Sequence, residues 1–391
     1  MTTGRLAGAL LIALAAVATT APEADSRTSR APDAPYFPPP GEAWATREPA
    51  AAGMSAERLR AAVDFALANE AETPVDLRGF LESRFGDLEH QEILGPMKDR
   101  GPMAGLVLRH GYIVAEWGDT RRVDMAFGVT KSFLATTAGL ALDRGLVRAF
   151  DDRVAPYVED PGFTSAHNAP ITWHMLLRQT SEWQGELWGK PDTADRREGV
   201  DRELRAPGTF WEYNDVRVNR LALSLLWVWR EALPAVLERE VMRPIGATPT
   251  WAWHGYENSW IEVDGRRVQS VSGGGHWGGG MWISTRDLAR FGYLHLRGGA
   301  WDGRRVLSES WVEAIREPEP LEPSYGYMWW LNTERRQWPS LPEGSYAALG
   351  GGDNVVWIDP ATDLVVVVRW IARPAQDGFL ARVRESVLVP D

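Results

Sequence analysis

Lys131 is one of three lysines among the 42 Lys and Arg residues of this 391-residue chain, the others being Lys98 and Lys190. Arginine carries the rest of the positive charge and cannot act as a base, so a lysine at 131 is a candidate for proton transfer. It follows Gly128-Val129-Thr130, and the run from Phe133 to Leu142 is apolar or small on nearly every side before stopping at Asp143-Arg144-Gly145. That pattern predicts a buried helix ended by a glycine cap. Position 128 then sits at the helix N-terminus, where unpaired backbone N–H groups and the helix dipole favour an oxyanion or a deprotonated nucleophile. Lys131, one turn later, shares the face of residue 128. A serine at 128 would have an amine beside it to take its proton in a partly desolvated pocket. The residue there is glycine. The plain alternative is that Lys131 is an ordinary helix lysine paired with a carboxylate.

Gly128-Val129-Thr130-Lys131-Ser132-Phe133 resembles the Ser-Val-Thr-Lys-Ser-Phe motif of the serine β-lactamase-like hydrolases. That family includes class C β-lactamases, D-alanyl-D-alanine carboxypeptidases, related esterases and the nylon-oligomer amide hydrolases. Its tyrosine box, Tyr-x-Asn, is matched by Tyr213-Asn214-Asp215 within the run from Pro207, with Asp215 where asparagine is commoner. The resemblance implies that Tyr213 shares proton transfer with Lys131 and reaches the leaving group; the residue could equally be a packed aromatic in a turn. A literal Lys-Thr-Gly motif is missing. Leu349-Gly350-Gly351-Gly352-Asp353-Asn354 stands in its place, and Gly350, Gly351 and Gly352 would let a strand's backbone approach substrate closely. Ser272 to Met281, with His276 between glycine triplets, and the helix-like stretch from Ser284 to Gly292 resemble the turn and helix preceding the last part of these folds. His276 is read as lining the pocket rim, with a satisfied structural histidine as the alternative. The resemblance runs from about Ser55 to about Arg373. It implies an α/β (α+β) fold of the β-lactamase/transpeptidase type, an antiparallel sheet flanked by helices plus a mostly helical lobe, acting on esters or amides through an acyl-enzyme. The missing lysine of Lys-Thr-Gly favours an esterase or amidase over a β-lactamase.

Other chemistries find less support. No G-x-S-x-G elbow and no G-K-[ST] phosphate loop occur. Gly273-x-Gly275-x-x-Gly278 matches the dinucleotide pattern without a parallel βαβ context. His254 and His276 lack metal-ligand spacing and there are no cysteines, so neither a metal nor a cofactor is expected. A net charge of −11 argues against nucleic-acid or anionic-membrane partners, leaving a small ester, amide or peptide-like ligand. Of the 20 tryptophans, several stand beside the motifs, among them Trp183, Trp211, Trp277 and Trp330. Core packing explains most, and an aromatic-walled pocket for an apolar acyl group is the sharper reading.

The wider frame supplies the elements that hold these residues. Arg5, the apolar run from Leu6 to Ala15 and the small residues Ala16-Val17-Ala18 read as a signal peptide over 1–18, implying an exported protein with no further membrane span. Residues 19–50, with Pro38-Pro39-Pro40, read as an extended linker. A catalytic domain over 51–391 follows. Its sheet lobe is expected at about 51–127 and 297–391, and its helical lobe at about 128–296. Ser55 caps a helix through about Ala68, a hairpin turns at His110-Gly111, strand patterns return only after Tyr325, and Gly378 to Val387 suits a final helix. Glycine at 128 removes covalent catalysis while sparing the helix cap, so a disabled hydrolase, a binding protein, or weak hydrolysis by water activated directly by Lys131 and Tyr213 is expected. Ser132 points about 100° away and is no substitute.

Overall fold

The computed structural model describes residues 35–388 except Glu198. The segment read as a signal peptide lies outside these residues. Among the described residues no helix is long and apolar enough to cross a membrane.

A six-stranded antiparallel sheet forms the base of the molecule. Its order is Trp330–Leu331, Tyr346–Gly350, Asn354–Asp359, Leu364–Arg369, Ala104–Arg109 and Tyr112–Trp117. The last two strands are the expected hairpin. His110 and Gly111 take φ of 53° and 86°, the positive values that a two-residue turn needs to match strand twist. The run Val365-Val366-Val367-Val368 is apolar at every position because the sheet is covered on both faces. Val365 and Val367 enter one core, and Val366 and Val368 enter the other. The helices Ala56–Leu67, capped by Ser55 as expected, and Gln376–Glu385 cover the second face. The helix Thr285–Leu296 covers the first. It therefore belongs to the sheet part rather than to the helical lobe, where the sequence boundaries put it.

Over 130–295 the expected helices appear as Thr130–Asp143, buried on all sides, and Asp215–Trp229. The expectation that strands return only after Tyr325 is corrected. Val123–Met125, Gly280–Ser284, Ala252–Val263 and Arg266–Val271 form a second, four-stranded antiparallel sheet. Register slips between Gly255 and Trp260, and this break in the period-two pattern hid the longest of these strands.

The stretch read as a linker is not free over its last part. Buried Arg290 donates to the carbonyls of Pro39 and Gly41, both at 2.7 Å, and of Ile245 at 2.9 Å. Trp44 Nε1 donates to Gly111 O at 2.8 Å. Proline-rich backbone has carbonyls without matching N–H groups, and a buried guanidinium supplies the missing donors.

Candidate active site

The two sheets meet where buried Arg369 donates to Met125 O, Asn354 Oδ1 and Thr285 Oγ1, each at 3.1 Å, and to Ile283 O. Burial pushes its guanidinium pKa down to about 10. This knot fixes Met125 and so the turn Phe127–Val129, a single 3₁₀ turn leading into the Thr130–Asp143 helix. Gly128 lies on that turn. At the next turn Lys131 points inward, and Ser132 points away to donate to Met328 O at 2.9 Å, which takes it out of play as a nucleophile.

Asn214 caps the Asp215–Trp229 helix, its Oδ1 accepting from Arg217 N at 3.1 Å. The cap sets Tyr213 and Asp215 on either side of it. Lys131 Nζ lies 2.5 Å from Asp215 Oδ1, donates to Gly274 O at 2.9 Å and stands 4.3 Å from the centre of the Tyr213 ring. Gly274 has to be glycine for this, because a Cβ there would fall 2.3 Å from Asp215 Oδ1. The plain reading of Lys131 as a paired lysine thus holds geometrically, and a general base at this place would have to give up the ion pair. Asp215, read as substrate-binding, serves first as the counter-ion of Lys131. Burial alone would raise its pKa, but Lys131, His276 and Arg197 outweigh burial and hold it well below the usual carboxylate range. Tyr213 is pushed well above the ordinary phenol value by burial and by the Asp215 charge, so its hydroxyl is a donor rather than a base.

A built Cβ on Gly128 would sit 3.0 Å from the Tyr213 hydroxyl, where that group could reach a serine oxygen. It would also sit 2.7 Å from the carbonyl of Leu349, so a side chain there needs the backbone of the Tyr346–Gly350 strand to give way. All eight residues singled out from sequence, Gly128, Lys131, Tyr213, Asp215, His276, Gly350, Gly351 and Gly352, line one cavity of about 520 Å³.

Sequence reasoning missed three contributors. Asp195 accepts from Asp215 N at 2.7 Å, and burial and then the Asp215 charge raise its pKa. Arg197 also stands over the Tyr213 ring, 4.7 Å from its centre. The helix Leu77–Phe85 closes one wall of the cavity. Asp195, Asp215 and His276 bring their ligand atoms within 4.8 Å of one another, a set with the spacing of metal ligands. The ammonium of Lys131 already occupies Asp215, and it opposes a cation there.

Residues 105–382 match the beta-lactamase family. The chain belongs to that family. It is similar to the 6-aminohexanoate-dimer hydrolase of Paenarthrobacter ureafaciens, 27% identical over 332 residues that cover 75% of this chain and 77% of the relative. The fold also resembles that of a penicillin-binding protein homologue from Caulobacter crescentus, with a TM-score of 0.56, 15% identity and coverage of 85% of this chain and 99% of the other. EstCE1, a hydrolase with promiscuous acyltransferase activity, gives a TM-score of 0.54 at 17% identity, covering 85% and 98%. The beta-lactamase-like arrangement of an antiparallel sheet flanked by helices is the one expected from sequence.

Proposed function

We propose that this cavity is the acyl-transfer site of an ester or amide hydrolase in which the covalent step has been lost. The observation that carries this reading is the convergence of position 128, Lys131 and Tyr213 in one cavity of about 520 Å³. In such a site the residue-128 hydroxyl attacks the acyl carbon, its proton passing to the lysine, and the tyrosine hydroxyl protonates the departing group. Glycine at 128 stops the sequence before its first bond forms. The 6-aminohexanoate dimer named for the Paenarthrobacter ureafaciens relative, two amino acids joined head to tail, supports an amide or ester substrate.

A second reading, an exported binding protein for an acyl or peptidoglycan-like ligand, is favoured by the Leu349 carbonyl. With that carbonyl 2.7 Å from where a Cβ would stand, the chain has settled around glycine rather than kept a serine-shaped gap. Export itself rests on Arg5 and the apolar run that follows it. Turnover of short acyl esters, amides and nitrocefin by this chain and by Gly128→Ser separates the two. Hydrolysis appearing only in the serine variant supports the lost-step reading, and inertness of both supports the binding protein.

A further inference from the structure

Leu77, Phe80 and Leu81 are spaced i, i+3 and i+4, so they form one apolar stripe along the helix Leu77–Phe85, while Arg78, Glu82 and Arg84 face solvent. An apolar stripe of this kind normally packs into a core. This one belongs to neither of the two hydrophobic cores of the molecule: Leu77 is buried, and Phe80 and Leu81 stay half-buried. All three side chains line the cavity, together with Trp211, Trp330 and Gly128.

The chain after this helix is fastened down. Leu94 N and Gly95 N donate to Trp277 O at 2.8 and 2.9 Å, and Glu257 N donates to Leu94 O at 3.0 Å. Lys190, whose side chain is 1% exposed, donates to His90 O at 2.7 Å, Glu92 O at 3.0 Å and Glu92 Oε2 at 2.6 Å. It gathers two backbone carbonyls and a carboxylate on one ammonium, a role for which a compact three-donor cation is suited. Lys98 donates to Val123 O farther along. The two lysines other than Lys131 thus both hold this segment against the site.

We infer that Leu77, Phe80 and Leu81 form a wall that selects a linear apolar acyl chain on the ligand, with Lys190 latching down the chain that follows them through Gly95. The inference rests on reading the cavity as an acyl site. Phe80 and Leu81, half-buried beside buried Leu77, leave apolar surface facing the cavity, and an acyl chain lying against them removes that surface from water.

Calorimetric titration of the full chain with N-butyl amides of straight-chain acids of two to ten carbons tests the selection. Each added methylene should tighten binding about fourfold until the wall is covered, as expected for burial of one CH₂. Phe80→Ala with Leu81→Ala should flatten this dependence, and Leu81→Trp, which fills the space, should exclude the longer amides. Equal binding of all chain lengths, or an unchanged dependence in both variants, overturns the inference. For the latch, Glu92→Gln should speed hydrogen exchange over 77–95 at least several-fold, and unchanged exchange rules the latch out. Because these amides are tested on the glycine chain, chain-length selection seen while Gly128→Ser forms no acyl adduct would leave the wall standing and the hydrolase reading fallen.

Discussion

At position 128 glycine lacks the hydroxymethyl group of a serine, and the backbone beside it leaves little room for one. A Cβ there meets Leu349 O at 2.7 Å, so a serine needs the strand backbone to shift, and overpacking of this kind costs about 1–3 kcal/mol. Tyr213 is the better test of chemistry. Its phenol stays protonated because burial and the Asp215 charge oppose ionisation, which suits it to protonate a leaving group. In the Gly128→Ser background, Tyr213→Phe should slow acylation by amides by at least about 100-fold and acylation by activated aryl esters far less. An equal loss with both substrate types would make Tyr213 a packing residue. The eight site residues were legible in sequence because each stands at a motif bound to a helix start or glycine turn. Asp195 and Arg197 were not, since they reach Asp215 and Tyr213 from a loop with no periodic pattern. The Lys131–Asp215 ion pair was legible only as the bland alternative for that lysine.

Among the elements, the loop leading to Tyr213 rests on a buried lattice of charge. Glu182 accepts from Arg202 and Arg217, both at 2.7 Å, and Glu212 accepts from the same two arginines at 2.6 and 3.1 Å. Burial alone would raise the Glu182 pKa, but the Arg202 hydrogen bonds and the Arg217 charge outweigh it and lower the value from 4.5 to about 2. A carboxyl lowered on folding adds stability above its unfolded pKa and loses it as pH falls towards the folded one. Glu182→Gln should therefore cost about 3–5 kcal/mol near neutral pH, by leaving Arg202 and Arg217 to share Glu212 with one buried positive charge in excess. Measured by urea unfolding, the gap between parent and variant should shrink as pH falls from 4.5 towards 2. A gap constant over that range would show that the glutamate acts through packing alone. The hairpin, the Thr130–Asp143 helix and the final helix were readable from period and caps. The Ala252–Val263 strand was not, because its register slip breaks the alternation, and the Leu77–Phe85 wall was not, because its stripe faces a cavity rather than a core.

On the scale of the whole molecule, the sheet carries a core on each face, and the segment from Pro35 is held on that body by Arg290 together with Arg286, Tyr293 and the Trp44 bond. Arg290→Ala leaves several carbonyls without donors and should lower stability by about 2–4 kcal/mol, with new protease cleavage between residues 35 and 47. Unchanged cleavage there would mean that Trp44 and its bond to Gly111 suffice. The two cores hold the Phe127–Val129 turn, the cap at Asn214 and the Tyr346–Gly350 strand around one cavity, and on the proposed reading glycine at 128 withholds the hydroxymethyl group its chemistry needs. Intact-protein mass spectrometry after mixing with an activated aryl ester tests this most directly, run on the parent, on Gly128→Ser and on Gly128→Ser with Lys131→Arg. The parent should stay at its own mass, the serine variant should gain one acyl group on residue 128, and the arginine form should acylate at least about 100-fold more slowly. A serine variant that gains no acyl group while remaining folded, or a parent that acylates as fast, would contradict the account.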